Sequence, residues 1–170
     1  MNNTDIQKFI DKAKKMEKGH EMDLSSGEDL SVAIMNLIGI EEHMFFTSQK
    51  LGDTKYIEVL NTAREMRKEL MKKIVKEGQG EVWCTSKHLL SASMRLMEVG
   101  TKYLTKGDNK EANEYFKKSF DLYNLFWGLN LGMVKSDPTK PKFEDKPIAK
   151  KDFLGTISQT IGKILDCCRE

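Results

Sequence analysis

Proline is absent from the first 137 residues of this 170-residue chain, and Pro138, Pro141 and Pro147 all lie within one ten-residue stretch. Because proline breaks helices, a long region without it can form continuous ones. The same region is rich in lysine, glutamate, leucine, methionine and alanine, which favour helices. No segment shows the sustained alternation of apolar and polar residues that indicates a strand. The sequence therefore predicts an all-α protein.

Cysteines and long apolar runs are also scarce. The three cysteines, Cys84, Cys167 and Cys168, lack the spacing of a disulfide framework, which favours a reducing, cytoplasmic location. No apolar run reaches the roughly 18 residues that a membrane span requires. The N-terminal residues show no apolar core of a secretory signal. We therefore expect a cytoplasmic protein that does not associate with membranes.

The charge shows no excess of one sign. There are 28 lysines and arginines and 26 aspartates and glutamates, which give a net charge of +2. Nucleic-acid-binding proteins usually carry a strong basic excess, so we expect no nucleic-acid partner. The sequence contains no phosphate-binding loop, dinucleotide-binding or zinc-protease motif. These absences favour a protein that is not an enzyme and that needs no cofactor.

Glycines and capping residues divide the proline-free region into segments. Helices are predicted at about residues 4–18, 25–51, 54–76, 81–105 and 109–134. Gly52 and Gly107 stand where helices end, and Asp108 and Glu111 have the spacing of a capping box at the next helix start. The short connections at the two glycines make successive helices antiparallel neighbours. The predicted fold is an up-and-down antiparallel bundle of four long helices, with a short helix at each end.

The chain divides into three segments by composition. Residues 1–135 form the predicted helical bundle, residues 136–149 a linker rich in proline and lysine, and residues 150–170 a C-terminal helix. The two glycines in the last segment weaken that helix in isolation, so it needs a surface to dock on. We expect it to dock on its own bundle or on a second subunit. Its apolar stripe consists of Leu154, Ile157, Ile161, Ile164 and Cys168.

The predicted helices at 81–105 and 109–134 place small, aromatic and turn residues in a recognisable order. These residues are Gly100, Tyr103, Gly107, Asp108, Ala112, Phe116 and Ser119. Over roughly 30 residues, this order resembles one tetratricopeptide-type hairpin. No second copy follows at the period of that repeat, and a solenoid needs about three units. The resemblance therefore implies one closely packed helical hairpin.

The predicted helix at 25–51 is apolar on almost all sides, but two carboxylates and an imidazole interrupt its centre. Buried charges need partners, and two arginines of the next helix fall on the facing stripe. One interpretation is an ion-pair network that fixes the helix register. The other is a pocket inside the bundle that binds a polar or anionic small molecule. The candidate ligand-binding residues are Glu41, Glu42, His43, Arg64 and Arg67.

A possible metal site lies on the predicted helix at 81–105. Cys84 and His88 are four residues apart on one face, where they can share a zinc or copper ion if other residues such as Glu42 or His43 complete the site. We expect this face, which also carries Arg95, to be exposed or to lie at a subunit contact. The opposite, buried side is predicted to contain Val82, Leu89, Leu90, Met97 and Leu104.

The predicted helix at 109–134 carries aromatic residues on more than one face, and a helix of this kind can pack in the core and also present a partner surface. This excess of apolar faces favours a non-enzymatic interaction or scaffold protein that forms a homo-oligomer or binds a protein partner. The alternative function is a small-ligand-binding or metal-binding bundle that uses the polar cluster. The aromatic residues are Tyr115, Phe116, Phe120, Tyr123, Phe126 and Trp127.

Overall fold

The computed structural model describes residues 24–76 and 80–132, and also the single positions Asp11, Gly155 and Ile157. The described part of the chain forms four long helices and contains no strand, so the all-α prediction is confirmed. Apart from the three single positions, the predicted N-terminal helix, the linker and the C-terminal helix lie outside the described residues. The four helices are α1 (Leu24–Leu51), α2 (Lys55–Ile74), α3 (Glu81–Thr105) and α4 (Asn109–Asn130).

The helix ends follow the predicted signals closely. Gly52 and Gly107, directly beyond α1 and near the end of α3, have φ angles of 64° and 78°, a left-handed conformation that glycine adopts without strain. The carboxylate of Asp108 accepts a hydrogen bond from the backbone N–H of Glu111 at 3.1 Å, which caps α4 as predicted. α4 ends at Asn130 rather than near residue 134. These signals place α1 antiparallel to α2, and α3 antiparallel to α4.

The α3–α4 hairpin is closely packed along its length. A Cβ atom on Gly100 would lie 2.6 Å from Phe116 Cε1 and 3.2 Å from the carbonyl oxygen of Ala112. About two turns earlier on α3, the hydroxyls of Ser93 and Ser119 each donate to the other residue's carbonyl oxygen, at 2.9 and 2.7 Å. Small residues thus allow the two backbones to approach. The hairpin that the tetratricopeptide resemblance implies is observed.

The two hairpins share one hydrophobic core that lies away from both interhelical turns. α1 and α3 contribute residues from their N-terminal halves, whereas α2 and α4 contribute residues from their C-terminal halves. We call this region the core end of the molecule and the opposite region the turn end. The buried core residues are Ile34, Met35, Met71, Ile74, Val75, Leu90, Phe126, Trp127, Leu131 and Ile157.

Ile157 comes from the predicted C-terminal helix. It is helical and only 2% exposed, and its side chain belongs to the shared core. At this position, the C-terminal segment packs on its own chain. Contacts between the two hairpins are much less extensive than the contacts within each hairpin.

Several polar side chains are buried together with the core. The hydroxyl of Ser31 on α1 lies 2.7 Å from the hydroxyl of Tyr123 on α4, and the amide of Asn130 on α4 donates to the hydroxyl of Ser86 on α3 at 3.0 Å. Asn124 is 0% exposed, and neither atom of its side-chain amide has a hydrogen-bond partner among the described residues. Its burial therefore costs free energy, because bonds to water are lost without replacement.

α1 is the longest of the four helices, with 28 residues. Glu41, Glu42 and His43 interrupt its apolar sequence near the middle.

None of the described helices combines the length and hydrophobicity that crossing a membrane requires.

Candidate functional site

Glu41 of α1 and Arg67 of α2 form a largely buried ion pair between the two helices. Arg67 Nε donates to Glu41 Oε1 at 2.8 Å, and Arg67 Nη2 donates to Glu41 Oε2 at 3.0 Å. The arginine side chain is 4% exposed and the glutamate side chain 16%. This bidentate geometry gives each carboxylate oxygen a donor. The pair joins α1 to α2.

Glu41 pairs with Arg67, whereas the sequence predicts Arg64 at the position that faces it. A hairpin centred on Gly52 places Arg64 level with Glu41 and Glu42, but Arg64 is exposed. The turn between the helices extends from residue 52 to residue 54, so its midpoint lies beyond Gly52 and the facing positions shift by about two residues. Helical side chains also lean toward the N-terminus of their own helix. Both effects bring Glu41 to Arg67.

Glu42 points to a different helix from Glu41. Arg95 Nε of α3 donates to a Glu42 carboxylate oxygen at 2.9 Å, and the Nη atoms of Arg95 contact Glu42 and Glu98. The hydrogen bond to Glu42 raises the pKa of Arg95 above its ordinary value, although partial burial opposes this effect. All three side chains are more than a third exposed. The network therefore links α1 to α3 but contributes little stability.

A shallow cleft lies beside this network, between α1 and α3. It encloses about 230 Å³, including space that is open to solvent. Its polar groups are those of Glu42, Arg95, Glu98 and Ser91. Three of these four side chains already pair with one another, so a polar ligand in the cleft would compete with existing ion pairs. The apolar lining residues are Met35, Ile38, Gly39 and Met94.

The other predicted site residues lie apart from the cleft. His43 on α1, Cys84 and His88 on α3, and Arg64 on α2 are all exposed. Within the described ranges, no three histidine, cysteine, aspartate or glutamate side chains are grouped so that they could hold a metal ion. The five candidate ligand-binding residues thus divide into the Glu41–Arg67 pair, Glu42 at the cleft, and two exposed side chains.

An exposed apolar surface lies on the α3–α4 hairpin toward the turn end. Met97 and Leu104 of α3 are 44% and 51% exposed, and Phe120 of α4 is 51% exposed. The Ser93–Ser119 hydrogen bonds place Phe120 level with Ala92, about 7 Å along the helix axis from Met97. We call Met97, Leu104 and Phe120 the turn-end surface.

The exposure of Met97 and Leu104 corrects the sequence prediction that both are buried. They follow Leu90 at steps of seven residues, which is the spacing of one continuous helix face. Leu90 is 0% exposed, so the face is buried at the core end and uncovered at the turn end. Leu90 belongs to the core that the two hairpins share, whereas Met97 and Leu104 do not.

Part of this surface could be expected from the sequence. Aromatic residues on more than one face of α4 indicated that this helix can present a partner surface as well as pack in the core, but they did not single out Phe120. Nothing distinguished Met97 and Leu104 from core residues, because their spacing from Leu90 is that of a core stripe. The partner of Glu42 was also missed: Arg95 was predicted on an exposed face, and no local pattern connects α3 to α1.

Comparisons with known proteins identify no relative. No protein-family model matches the chain, and no curated protein or solved structure is significantly similar to it.

Proposed function

We propose that this chain is a non-enzymatic cytoplasmic interaction protein, which binds a protein partner or a copy of itself through the turn-end surface. The observation that carries this proposal is the loss of burial along one face of α3. Leu90 is 0% exposed, Met97 44% and Leu104 51%. This face of α3 remains apolar beyond the point where the core ends. An exposed apolar face of this kind is suited to contact with a partner protein.

The same change occurs on two other helices. On α4, Trp127 is 4% exposed, whereas Phe120, two turns toward the hairpin turn, is 51% exposed. On α1, Ile34 is 0% exposed, whereas Phe45, eleven residues later on the same face, is 47% exposed. Single exposed apolar residues are common on protein surfaces. Three faces that lose their cover toward the same end favour an interaction surface instead.

The chemistry of the turn-end surface also suits binding. Methionine and aromatic residues are enriched in the central parts of protein interfaces, where charged residues are depleted. Met97 adds a flexible, polarisable side chain that adapts to different partner shapes. These properties support a binding role.

Small-ligand binding is the second candidate function, and the cleft between α1 and α3 supports it. Of the polar side chains there, Arg95 is already paired with Glu42 and Glu98. The buried Arg67 is likewise paired with Glu41. A ligand would have to displace these carboxylates, which weakens this candidate relative to the first.

Photo-crosslinking in cells tests the proposed function. A photoreactive phenylalanine analogue replaces Phe120 in one version of the full chain and Val32 in another. Val32 is the matched control because it is 46% exposed but lies at the core end, on the outer face of α1. We expect protein adducts at position 120 and none at position 32. If position 120 gives no adduct, or both positions give the same adducts, the proposed interaction surface is wrong.

A further inference from the structure

We draw no further inference here: the strongest candidate, the exposed apolar surface of Met97 and Leu104 on α3 and Phe120 on α4, carries nothing beyond the proposed function, because nothing in the described part of the chain shows what covers it.

Discussion

Adjacent charged residues of α1 have different roles because of the direction in which they point. Glu41 and Glu42 are neighbours in sequence, but successive residues on a helix differ by about 100° in direction. Glu41 points to α2 and forms a largely buried pair with Arg67. Glu42 points to α3 and forms an exposed pair with Arg95. The first pair affects stability strongly and the second weakly.

Arg67→Ala should lower the free energy of unfolding by roughly 3 kcal/mol, because it leaves the Glu41 carboxylate without its partner in a poorly solvated position. Glu41 retains some access to solvent, which keeps the loss near the lower end for buried pairs. Arg64→Ala, at an exposed position on the same helix, should cost below about 1 kcal/mol. Urea denaturation measures both. Equal losses would show that the Glu41–Arg67 pair is not the one that holds α1 to α2.

Tyr123 should make the protein less stable at alkaline pH. Burial raises the pKa of its hydroxyl, although the hydrogen bond with Ser31 opposes this. The folded state then holds the tyrosine proton more tightly than the unfolded state, whose pKa is about 10. This contribution to stability is complete below about pH 10 and is lost as the pH rises toward the higher folded pKa.

Urea denaturation between about pH 8 and 11 checks this prediction. Lysines titrate in the same range, so the comparison is between the wild type and Tyr123→Phe. The wild type should lose more unfolding free energy over this interval than the variant does. Parallel pH profiles would mean that Tyr123 has the same pKa in both states.

Asn124→Leu should stabilise the protein by about 1–2 kcal/mol, because it removes from the core an amide that has no hydrogen-bond partner among the described residues, and adds apolar contact of similar volume. Asn130→Leu is the matched control on the same helix. Its amide donates to the Ser86 hydroxyl and to the Phe126 carbonyl oxygen, so its loss should destabilise. Thermal melts compare the two variants. A lower melting temperature for Asn124→Leu would reveal a polar partner for Asn124.

At the scale of the helices, α3 and α4 pack closely because small residues lie between them. The two hairpins contact each other through the shared core and through a few side chains of α1 and α3. α3 and α4 approach closely at Gly100, where the Phe116 ring occupies the space that a Cβ atom would fill. α1 and α3 are joined by the exposed Glu42–Arg95 pair and by the apolar lining of the cleft. Contacts within each hairpin are more extensive than those between the hairpins, which also meet at the shared core.

Two glycine substitutions test this difference. Gly100→Ala should destabilise the protein by about 1–3 kcal/mol, because the added methyl group overlaps Phe116 and crowds the Ala112 backbone. Gly39→Ala, also inside a helix, meets no atom within 4 Å and should stabilise by about 0.5–1 kcal/mol through higher helix propensity. Chemical denaturation measures both. A stabilising Gly100→Ala would show that the α3–α4 hairpin is looser than described.

At the scale of the whole molecule, one core serves both hairpins and the C-terminal segment. Ile157 is 2% exposed within this core, beside residues of all four helices. The apolar faces of α1, α3 and α4 all pass through the core and then lose their cover toward the turns. Stability is therefore concentrated at the core end, and the surface proposed for binding lies at the other end.

Ile157→Ala should lower the free energy of unfolding by about 2–4 kcal/mol, since it opens a cavity in the shared core. Ile40→Ala, at a position that is 42% exposed on α1, should cost below about 1 kcal/mol. Chemical denaturation of the full chain measures both losses. If the two losses are equal, the C-terminal segment contributes no buried side chain to the core at this position.

Much of the fold could be predicted because its signals are local. The absence of proline before residue 138, the glycines after α1 and α3, and the cap at Asp108 depend only on nearby residues and backbone geometry. These signals determined the helix positions, and the short turns determined that consecutive helices are antiparallel. The presence of a carboxylate–arginine pair between α1 and α2 also follows, since charges on a buried face require partners.

Only the tertiary structure decided which charges pair and which apolar faces stay uncovered. Glu41 pairs with Arg67 rather than Arg64 because the turn length and the lean of the side chains set the register. Glu42 pairs with Arg95 because the two hairpins bring α1 beside α3, and no local pattern encodes that contact. Met97 and Leu104 have the periodicity of core residues, and periodicity specifies the face of a helix but not the length over which a neighbour covers it.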